Sequence, residues 1–141
     1  MPPEDAVPRP AGWLAARMKW ILLVSGALTC SMLLTALAPQ AALRAIFGET
    51  ITGPVAEIVV RNWGALIALV GAMLIYSAYR PASRPLVLIV ASASKLIFIS
   101  LVLIYGRPFL GHQAGGAVVG DALMVVVFLT YLLTHRESAA A

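Results

Sequence analysis

Four runs of mostly apolar residues, separated by short polar segments, dominate the pattern of the chain. They cover Trp20 to Leu37, Asn62 to Tyr79, Leu86 to Tyr105 and Ala117 to Thr134. Each run holds about 18 to 20 residues, which at 1.5 Å per residue is enough to cross a hydrocarbon core roughly 30 Å thick. The pattern predicts an all-α fold, an integral membrane four-helix bundle, as a single domain over residues 13–134.

The segment between the first two runs, PQAALRAIFGETITGP from Pro39 to Pro54, is too polar to span a membrane. Apolar residues nevertheless recur in it at helical spacing, and Gly48 follows them as a helix-ending residue. The stripe consists of Ala42, Leu43, Ile46 and Phe47. We therefore expect a short helix at the membrane interface between the first two spans. It either only covers the bundle or forms a lid over a cavity.

The two ends of the chain differ from the runs in composition. Residues 1–12, MPPEDAVPRPAG, contain four prolines, and residues 135–141, HRESAAA, are polar and alanine-rich. Both are predicted to be disordered or loosely attached tails. The first run could instead be a signal peptide cleaved after Ala38. It is longer than the usual 7 to 15 apolar residues, and Pro39 follows the cut, so a retained span is favoured. Cys30, the single cysteine, is expected to be a packing residue in that span.

Composition supports a lipid environment. Hydrophobic residues make up 61% of the 141 residues and charged residues only 11%, whereas a soluble domain is near half apolar and a quarter charged. The formal net charge of +4 is explained by topology, because basic residues are retained on the cytoplasmic side of a membrane. Nucleic acid is therefore not an expected partner, and the lipid bilayer is.

Basic residues in and beside the loops also predict an orientation. Six lie on one side (Arg9, Arg17, Lys19, Arg80, Arg84 and Arg136) and two on the other (Arg44 and Arg107). This asymmetry places both termini in the cytoplasm and the chain in the plasma membrane, which is the inner membrane of a bacterial cell.

Lys95 stands inside the third apolar run. A lysine at the centre of a membrane helix costs about 2.5 to 3.5 kcal/mol on the insertion scale. The run's roughly thirteen Leu, Ile, Val and Phe residues contribute about 4 to 8 kcal/mol in favour of insertion on that scale. The helix still inserts, but with a penalty that leucine would remove, so a partner or a purpose is expected for Lys95.

Three other charged residues are candidate partners of Lys95. Asp121 lies about one turn inside the fourth run, and the third and fourth helices are antiparallel neighbours, so the two side chains come within reach. Glu57 and Arg61 are spaced i and i+4 at the start of the second helix. Together the four form a predicted polar cluster and a candidate ligand-binding site. The alternatives are a purely structural ion pair and an unpaired lysine that extends to the interface.

Small residues indicate where helices approach one another closely. On the second helix Gly64, Ala68 and Ala72 follow Arg61 on one predicted face, and Gly116 and Gly120 form a G-x-x-x-G pair before Asp121. These five residues are the predicted helix-packing positions.

Motifs for catalysis, metals and cofactors are missing. The chain has no phosphate-binding glycine loop, H-E-x-x-H or G-x-S-x-G sequence. His112 and His135 are predicted on opposite sides of the membrane, which disfavours a two-histidine metal or haem site. No catalytic residue, metal or cofactor is therefore expected.

The stretches RNWGALIALVGAMLIY, SKLIFISLVLIYG and VVGDALMVVVFLTYLL resemble those of small four-helix bacterial membrane proteins of the DoxX-like and domain-of-unknown-function type. The resemblance covers about Trp20 to Leu133. It implies a four-helix bundle with an R-x-x-G start to the second helix, matched by Arg61 and Gly64, and charges in later helices, matched by Lys95 and Asp121. Some proteins of this type are accessory subunits of membrane oxidoreductases, but the chain has no quinone or haem motif.

Three functional hypotheses follow. The first is a non-catalytic integral membrane protein that acts as an accessory or small-molecule-binding bundle. The second is a small proton- or ion-coupled transporter, which would need a homo-oligomer or larger complex because four helices make a narrow bundle. The third is a membrane-embedded enzyme acting on a lipid or quinone.

Overall fold

The computed structural model describes the backbone of residues 10–140 and the side chains of residues 12–136. All long elements in this part of the chain are helices. They are α1 (Pro10–Cys30), α2 (Leu33–Leu37), α3 (Pro39–Phe47), α4 (Pro54–Tyr79), α5 (Arg84–Tyr105) and α6 (Gln113–Ala140). Short 3-10 turns, Pro81–Ser83 and Arg107–Gly111, join the last three helices. Four segments are long and apolar enough to span a membrane: Gly12–Leu37, Pro54–Tyr79, Pro81–Tyr105 and Gln113–Arg136. The predicted four-span all-α bundle is confirmed.

The first span is interrupted, although the sequence predicted one continuous helix. At Ser31 and Met32 the backbone tightens, with the Met32 amide donating to the Thr29 carbonyl at 3.2 Å and the Leu34 amide to the Ser31 carbonyl at 3.0 Å. These bonds reach three residues back instead of four, which is the 3-10 pattern. The span therefore consists of α1 and α2 with a break between them.

The short helix predicted before the second span is present as α3. Pro39 occupies its first turn, where a missing amide hydrogen has no cost. Gly48 ends it with a φ of 74°, in the left-handed region that favours glycine. Leu43 is buried, while Arg44 is exposed on the other side. An amphipathic helix of this kind suits the edge of a membrane bundle.

Helices extend beyond the predicted boundaries of the membrane domain. Helix α1 already begins at Pro10, and α6 continues through residues 135–140, where a disordered tail was predicted. This end of α6 is rich in alanine and contains no glycine or proline, so nothing in its sequence stops the helix. Of the predicted N-terminal tail, residues 1–9 lie outside the described residues, as does residue 141.

The first span packs against α4, and α5 packs between α4 and α6. The contact of α1 with α4 is close because two glycines meet there. A side-chain carbon on Gly26 would lie 2.8 Å from the Gly71 carbonyl oxygen, and one on Gly71 would lie 2.6 Å from the Cys30 amide nitrogen. Gly64 is equally tight against the backbone of Met32 and Ala36. The first span and α4 therefore cross at backbone contact distance.

Three of the predicted packing positions need correction. Ala72 is exposed, and the close contact continues from Gly64 to the buried Gly71, with Ala68 partly buried between them. Gly116 and Gly120 have no neighbour within 4 Å of where a side-chain carbon would lie, so they make no close helix contact within the chain. Both instead border open space.

The tightly packed core occupies one half of the bundle. Its centre is formed by Met18, Leu22, Leu74, Ala78, Val87, Leu88, Ala91, Phe128 and Tyr131. These residues come from the start of α1, the end of α4, the start of α5 and the end of α6, which all lie at the end of the bundle opposite α3. The end that carries α3 is called the α3 end below.

Candidate functional site

A cavity of about 490 Å³ lies within the α3 end of the bundle. It is lined by residues of every helix: Thr29 and Met32 at the break in the first span, Thr35 of α2, Ala42 and Ile46 of α3, Trp63 and Ile67 of α4, Lys95 and Phe98 of α5, and Gly120 and Asp121 of α6, among others. Its volume falls in the range of about 300 to 1,000 Å³ that is usual for small-molecule sites. Helix α3 covers it, which favours the lid interpretation over a simple loop.

The polar floor of the cavity is the ion pair between Lys95 and Asp121. Lys95 Nζ lies 2.5 Å from Asp121 Oδ1, so the pair predicted from the sequence forms between neighbouring helices. The side chain of Lys95 is 7% exposed and that of Asp121 is 20% exposed. The floor therefore carries both charges but no net charge, in surroundings where an unpaired charge would be costly.

Thr29 adds a third polar group to the floor. Its hydroxyl donates a hydrogen bond to the Ser25 carbonyl at 2.8 Å, and Lys95 Nζ donates to the same hydroxyl at 3.5 Å. Because the hydroxyl proton is used within α1, the oxygen lone pairs are directed to the lysine. Sequence reasoning missed Thr29. Its position one turn after Ser25 within an apolar run was the available signal.

Hydrogen-bonding capacity remains at the floor. An ammonium group has three donors, and Asp121 and Thr29 accept two of them. The other carboxylate oxygen, Asp121 Oδ2, accepts no hydrogen bond from the described residues, although Asp121 lines the cavity. The floor thus offers a donor and an acceptor side by side to a polar group in the cavity.

The walls above the floor are mainly apolar and aromatic. Trp63 and Ile67 come from α4, and Phe98 comes from α5. The Trp63 ring lies 6.4 Å from the Phe47 ring, and Phe47 meets Phe109 edge to face at 5.7 Å. This aromatic row joins the end of α3 to α4 and to the turn before α6, and so holds the lid helix against the bundle.

Glu57 and Arg61 form a second ion pair, separate from the first. Their closest atoms are 2.6 Å apart, and the side chains are 42% and 44% exposed. Arg61 Nη1 also donates to the carbonyls of Ala36 and Leu37, at 2.6 Å and 3.2 Å. Neither residue lines the cavity, and among the described residues no hydrogen bond joins the two pairs. The predicted four-residue cluster is therefore two pairs, of which Arg61 and Glu57 serve the end of α2.

A buried hydroxyl on α5 was not recognised as unusual from the sequence. Ser92 is 3% exposed, and its Oγ has no hydrogen-bond partner among the described residues. It precedes Lys95 by one helical turn, on the side of the packed core. An unpaired buried hydroxyl is costly, and sequence alone cannot show whether a partner is near.

Potential metal ligands do not converge in the described part of the chain, where no group of three His, Cys, Asp or Glu residues occurs. His112 instead packs its imidazole over Gly48, at the end of the lid helix. Because glycine has no side chain, the imidazole packs directly against the chain at this position.

No family model, curated protein or solved structure matches the chain. The cavity and its ion pair are therefore interpreted from their own geometry and chemistry.

Proposed function

We propose that the chain is a non-catalytic membrane protein that binds a small amphipathic molecule in the cavity at the α3 end. The observation that carries this proposal is the combination of an apolar cavity of about 490 Å³ with one ion pair at its floor. Binding sites for small molecules are typically apolar and contain few polar groups, which fix the orientation of the ligand. A molecule with an apolar body and one polar end matches both parts.

The setting of the proposal is the cell's inner membrane with both termini in the cytoplasm. The charge distribution supports this orientation, and it places the cavity in the outer half of the bilayer. An accessory role within a DoxX-like four-helix protein is compatible with the same site, and so is a homo-oligomer or a larger membrane complex.

The proposal is tested by native mass spectrometry of the full chain released from membranes in mild detergent. We expect a non-covalent adduct on the unmodified protein. Gly120→Phe, which fills open space beside Asp121, should remove it, whereas Ala122→Phe, at an exposed position of the same helix outside the cavity, should retain it. The absence of any adduct on the unmodified protein, or its equal retention by both folded variants, would contradict the proposal.

One observation favours a small ion- or proton-coupled transporter as a second candidate. The break at Ser31 and Met32 lines the cavity, and interrupted helices near the middle of a membrane are frequent at transporter binding sites. Such a transporter would move solute across vesicles only with Lys95 and Asp121 intact. Uptake that depends on a pH or ion gradient in proteoliposomes, and that Asp121→Asn abolishes, would favour this candidate over simple binding.

A further inference from the structure

The residues that line the cavity differ in exposure from one side of the bundle to the other. Its wall residues from α4 and α5, such as Ile67 and Phe98, are partly buried. In the first span, Thr29 and Thr35 are buried, but two other lining residues are exposed, Leu28 at 59% and Leu34 at 64%. On α6, Ala117 is also exposed. Most of the exposed lining therefore belongs to the first span and to α6.

Those two segments leave a gap between them. Gly116 and Gly120 on α6 border the cavity, and a side-chain carbon at either would meet nothing within 4 Å. Helix α3 contacts both α2 and α6, so it bridges the gap at the α3 end. The opening below it runs sideways, toward the space that lipid chains occupy around a membrane bundle.

We propose that the cavity takes an uncharged single-chain lipid with a hydroxyl-bearing head, which enters through the gap between the first span and α6. Its head lies on the Lys95 and Asp121 pair, and its chain leaves through the gap into the bilayer. This inference rests on the proposed binding function and specifies the class of ligand and its route.

The charge of the floor determines the charge of the head. Lys95 and Asp121 already neutralise each other at 2.5 Å. A charged head would add a net charge within the hydrocarbon region, where it is poorly solvated. An uncharged head adds none.

The hydrogen bonds left open at the floor determine the functional group. Asp121 Oδ2 needs a donor, and Lys95 retains one donor after Asp121 and Thr29 are counted. A hydroxyl group both donates and accepts, so one hydroxyl, or two on adjacent carbons, satisfies both atoms. A carbonyl or ether head would leave Asp121 Oδ2 without a donor.

The gap determines the shape of the lipid. It is bordered by the exposed side chains of Leu28 and Leu34 on one side and by Gly116 and Ala117 on the other. Apolar side chains on one side of the gap and small residues on the other leave room for one alkyl chain lying across α6. The head and the first part of the chain then occupy the cavity of about 490 Å³.

The experiment uses the fluorescence of Trp63, which lines the cavity. The chain's other two tryptophans, Trp13 and Trp20, are exposed and are replaced by Phe in the full-length background. The protein is reconstituted in vesicles that contain a monoacylglycerol brominated along its chain, since bromine quenches tryptophan at short range. A brominated fatty acid, kept ionised at alkaline pH, and a brominated two-chain phosphatidylcholine are the comparison probes.

We expect quenching by the monoacylglycerol to saturate at a few mole per cent, while quenching by the two comparison probes rises in proportion to their content. Saturable quenching by the fatty acid but not by the monoacylglycerol would overturn the proposed ligand class and leave the binding function intact. No saturable quenching by any probe, together with the absence of an adduct in mass spectrometry, would overturn both.

The route is tested by the rate of quenching after brominated monoacylglycerol is transferred from donor vesicles. Ala117→Phe, which adds bulk at the gap, should slow the onset at least several-fold relative to Ala122→Phe, its matched control on the same helix. Equal rates for the two folded variants would show that the lipid does not pass between the first span and α6.

Discussion

At the residue scale, Lys95 is placed where its charge is compensated and still accessible. The insertion cost of a central lysine, about 2.5 to 3.5 kcal/mol, applies to an isolated helix. In the bundle Lys95 Nζ meets Asp121 Oδ1 at 2.5 Å and the Thr29 hydroxyl at 3.5 Å. The pair also lines a cavity. An ion pair that only joins two helices would not have to border one. The position of Lys95 therefore connects the stability of the bundle with the proposed binding site.

A double-mutant cycle separates the two charges. In Lys95→Met or Asp121→Asn, one partner remains buried without its counter-charge, which typically costs about 3 to 5 kcal/mol. The double variant buries no unpaired charge, so we expect its loss of unfolding free energy to be much smaller than the sum of the two single losses. Reversible unfolding in detergent or lipid measures all three values.

If the double variant lost as much unfolding free energy as the two single variants together, the predicted direct interaction between Lys95 and Asp121 would be wrong. Glu57→Gln serves as the control, because Glu57 contacts Arg61 on the surface of the bundle. It should be additive with Lys95→Met within about 0.5 kcal/mol, as expected for separate sites.

The sequence allowed one of these contacts to be predicted but not the others. Lys95 and Asp121 lie on consecutive antiparallel helices joined by a short turn, so their depths could be compared by counting residues. Thr29 lies on the first span, and its distance from Lys95 depends on how α1 crosses α4. The separation of Arg61 from Lys95 depends on the same crossing. Such contacts follow from tertiary packing and have no local signal.

At the element scale, glycine spacing sets the contact of the first span with α4. Gly64 and Gly71 are seven residues apart, and both lie at backbone contact distance from the first span. A repeat of seven fits helices that cross at a small angle. The sequence-based prediction followed offsets of four and reached Ala72, which lies on the exposed face. The prediction therefore chose the correct face of α4 near Gly64 but left that face two turns later, because the contact repeats every 3.5 residues.

Gly71→Ala should test this contact. Its new methyl group would lie 2.6 Å from the Cys30 amide nitrogen, and backbone cannot move aside as a flexible side chain can. We expect a loss of about 1 to 3 kcal/mol in unfolding free energy, the usual result of overpacking. Thermal unfolding in detergent provides the measurement.

Gly120→Ala is the matched control for that change. It is also a helical glycine, but its methyl group would meet nothing within 4 Å. Since alanine is the better helix former, we expect this variant to be as stable as the original chain or more stable by up to about 1 kcal/mol. An equal loss for both variants would show that close packing at Gly71 is not the cause.

The C-terminal end of α2, where the chain turns into α3 at Ala38, requires a hydrogen-bond donor. The last carbonyl groups of a helix accept no hydrogen bond from an amide of the same helix. In a membrane they need another donor. Arg61 supplies it to Ala36 and Leu37, and Glu57 holds the guanidinium in place. The sequence showed the i, i+4 pair but not the carbonyls that it serves, because the distance from Arg61 to the end of α2 depends on tertiary packing. The break at Ser31 and Met32 was not predicted either, because neither residue carries a strong helix-breaking signal.

Arg61→Met should therefore loosen α2 and the lid helix α3 without unfolding the bundle. We expect faster amide hydrogen exchange across residues 33–47, because the α2 carbonyls lose their donor while the packed core at the other end is untouched. Arg44→Met, a change of the same kind at an exposed position on α3, should leave that exchange unchanged. Similar acceleration of hydrogen exchange in both variants would show that the bonds from Arg61 do not hold α2 and α3 in place.

At the scale of the whole molecule, the bundle has two halves with different packing. The half remote from α3 is closed by apolar packing around Phe128 and Leu88. There Arg84 donates to the Ser77 and Ala78 carbonyls and to the Tyr131 hydroxyl, joining three helices. The α3 half contains the cavity. The four spans could be predicted from apolar run lengths and the covering helix from its apolar stripe. The division into a packed and an open half could not, since neither pattern depends on how tightly the helices pack.

The orientation of these halves in the membrane is the last prediction. Arginines and lysines concentrate at the packed end, which should therefore face the cytoplasm and leave the cavity near the outer surface. In a Cys30→Ser background, which removes the only cysteine, single cysteines are introduced at Glu49 and His135, both exposed and at opposite ends. A membrane-impermeant maleimide added to intact cells should label the residue 49 variant, and should label the residue 135 variant only after lysis. The reverse pattern would invert the bundle and place the cavity toward the cytoplasm. Labelling of both in intact cells would contradict the predicted odd number of spans, three, between the two positions. Labelling only at residue 49 would instead bring the gap between the first span and α6 into the outer leaflet, where the proposed lipid must be available.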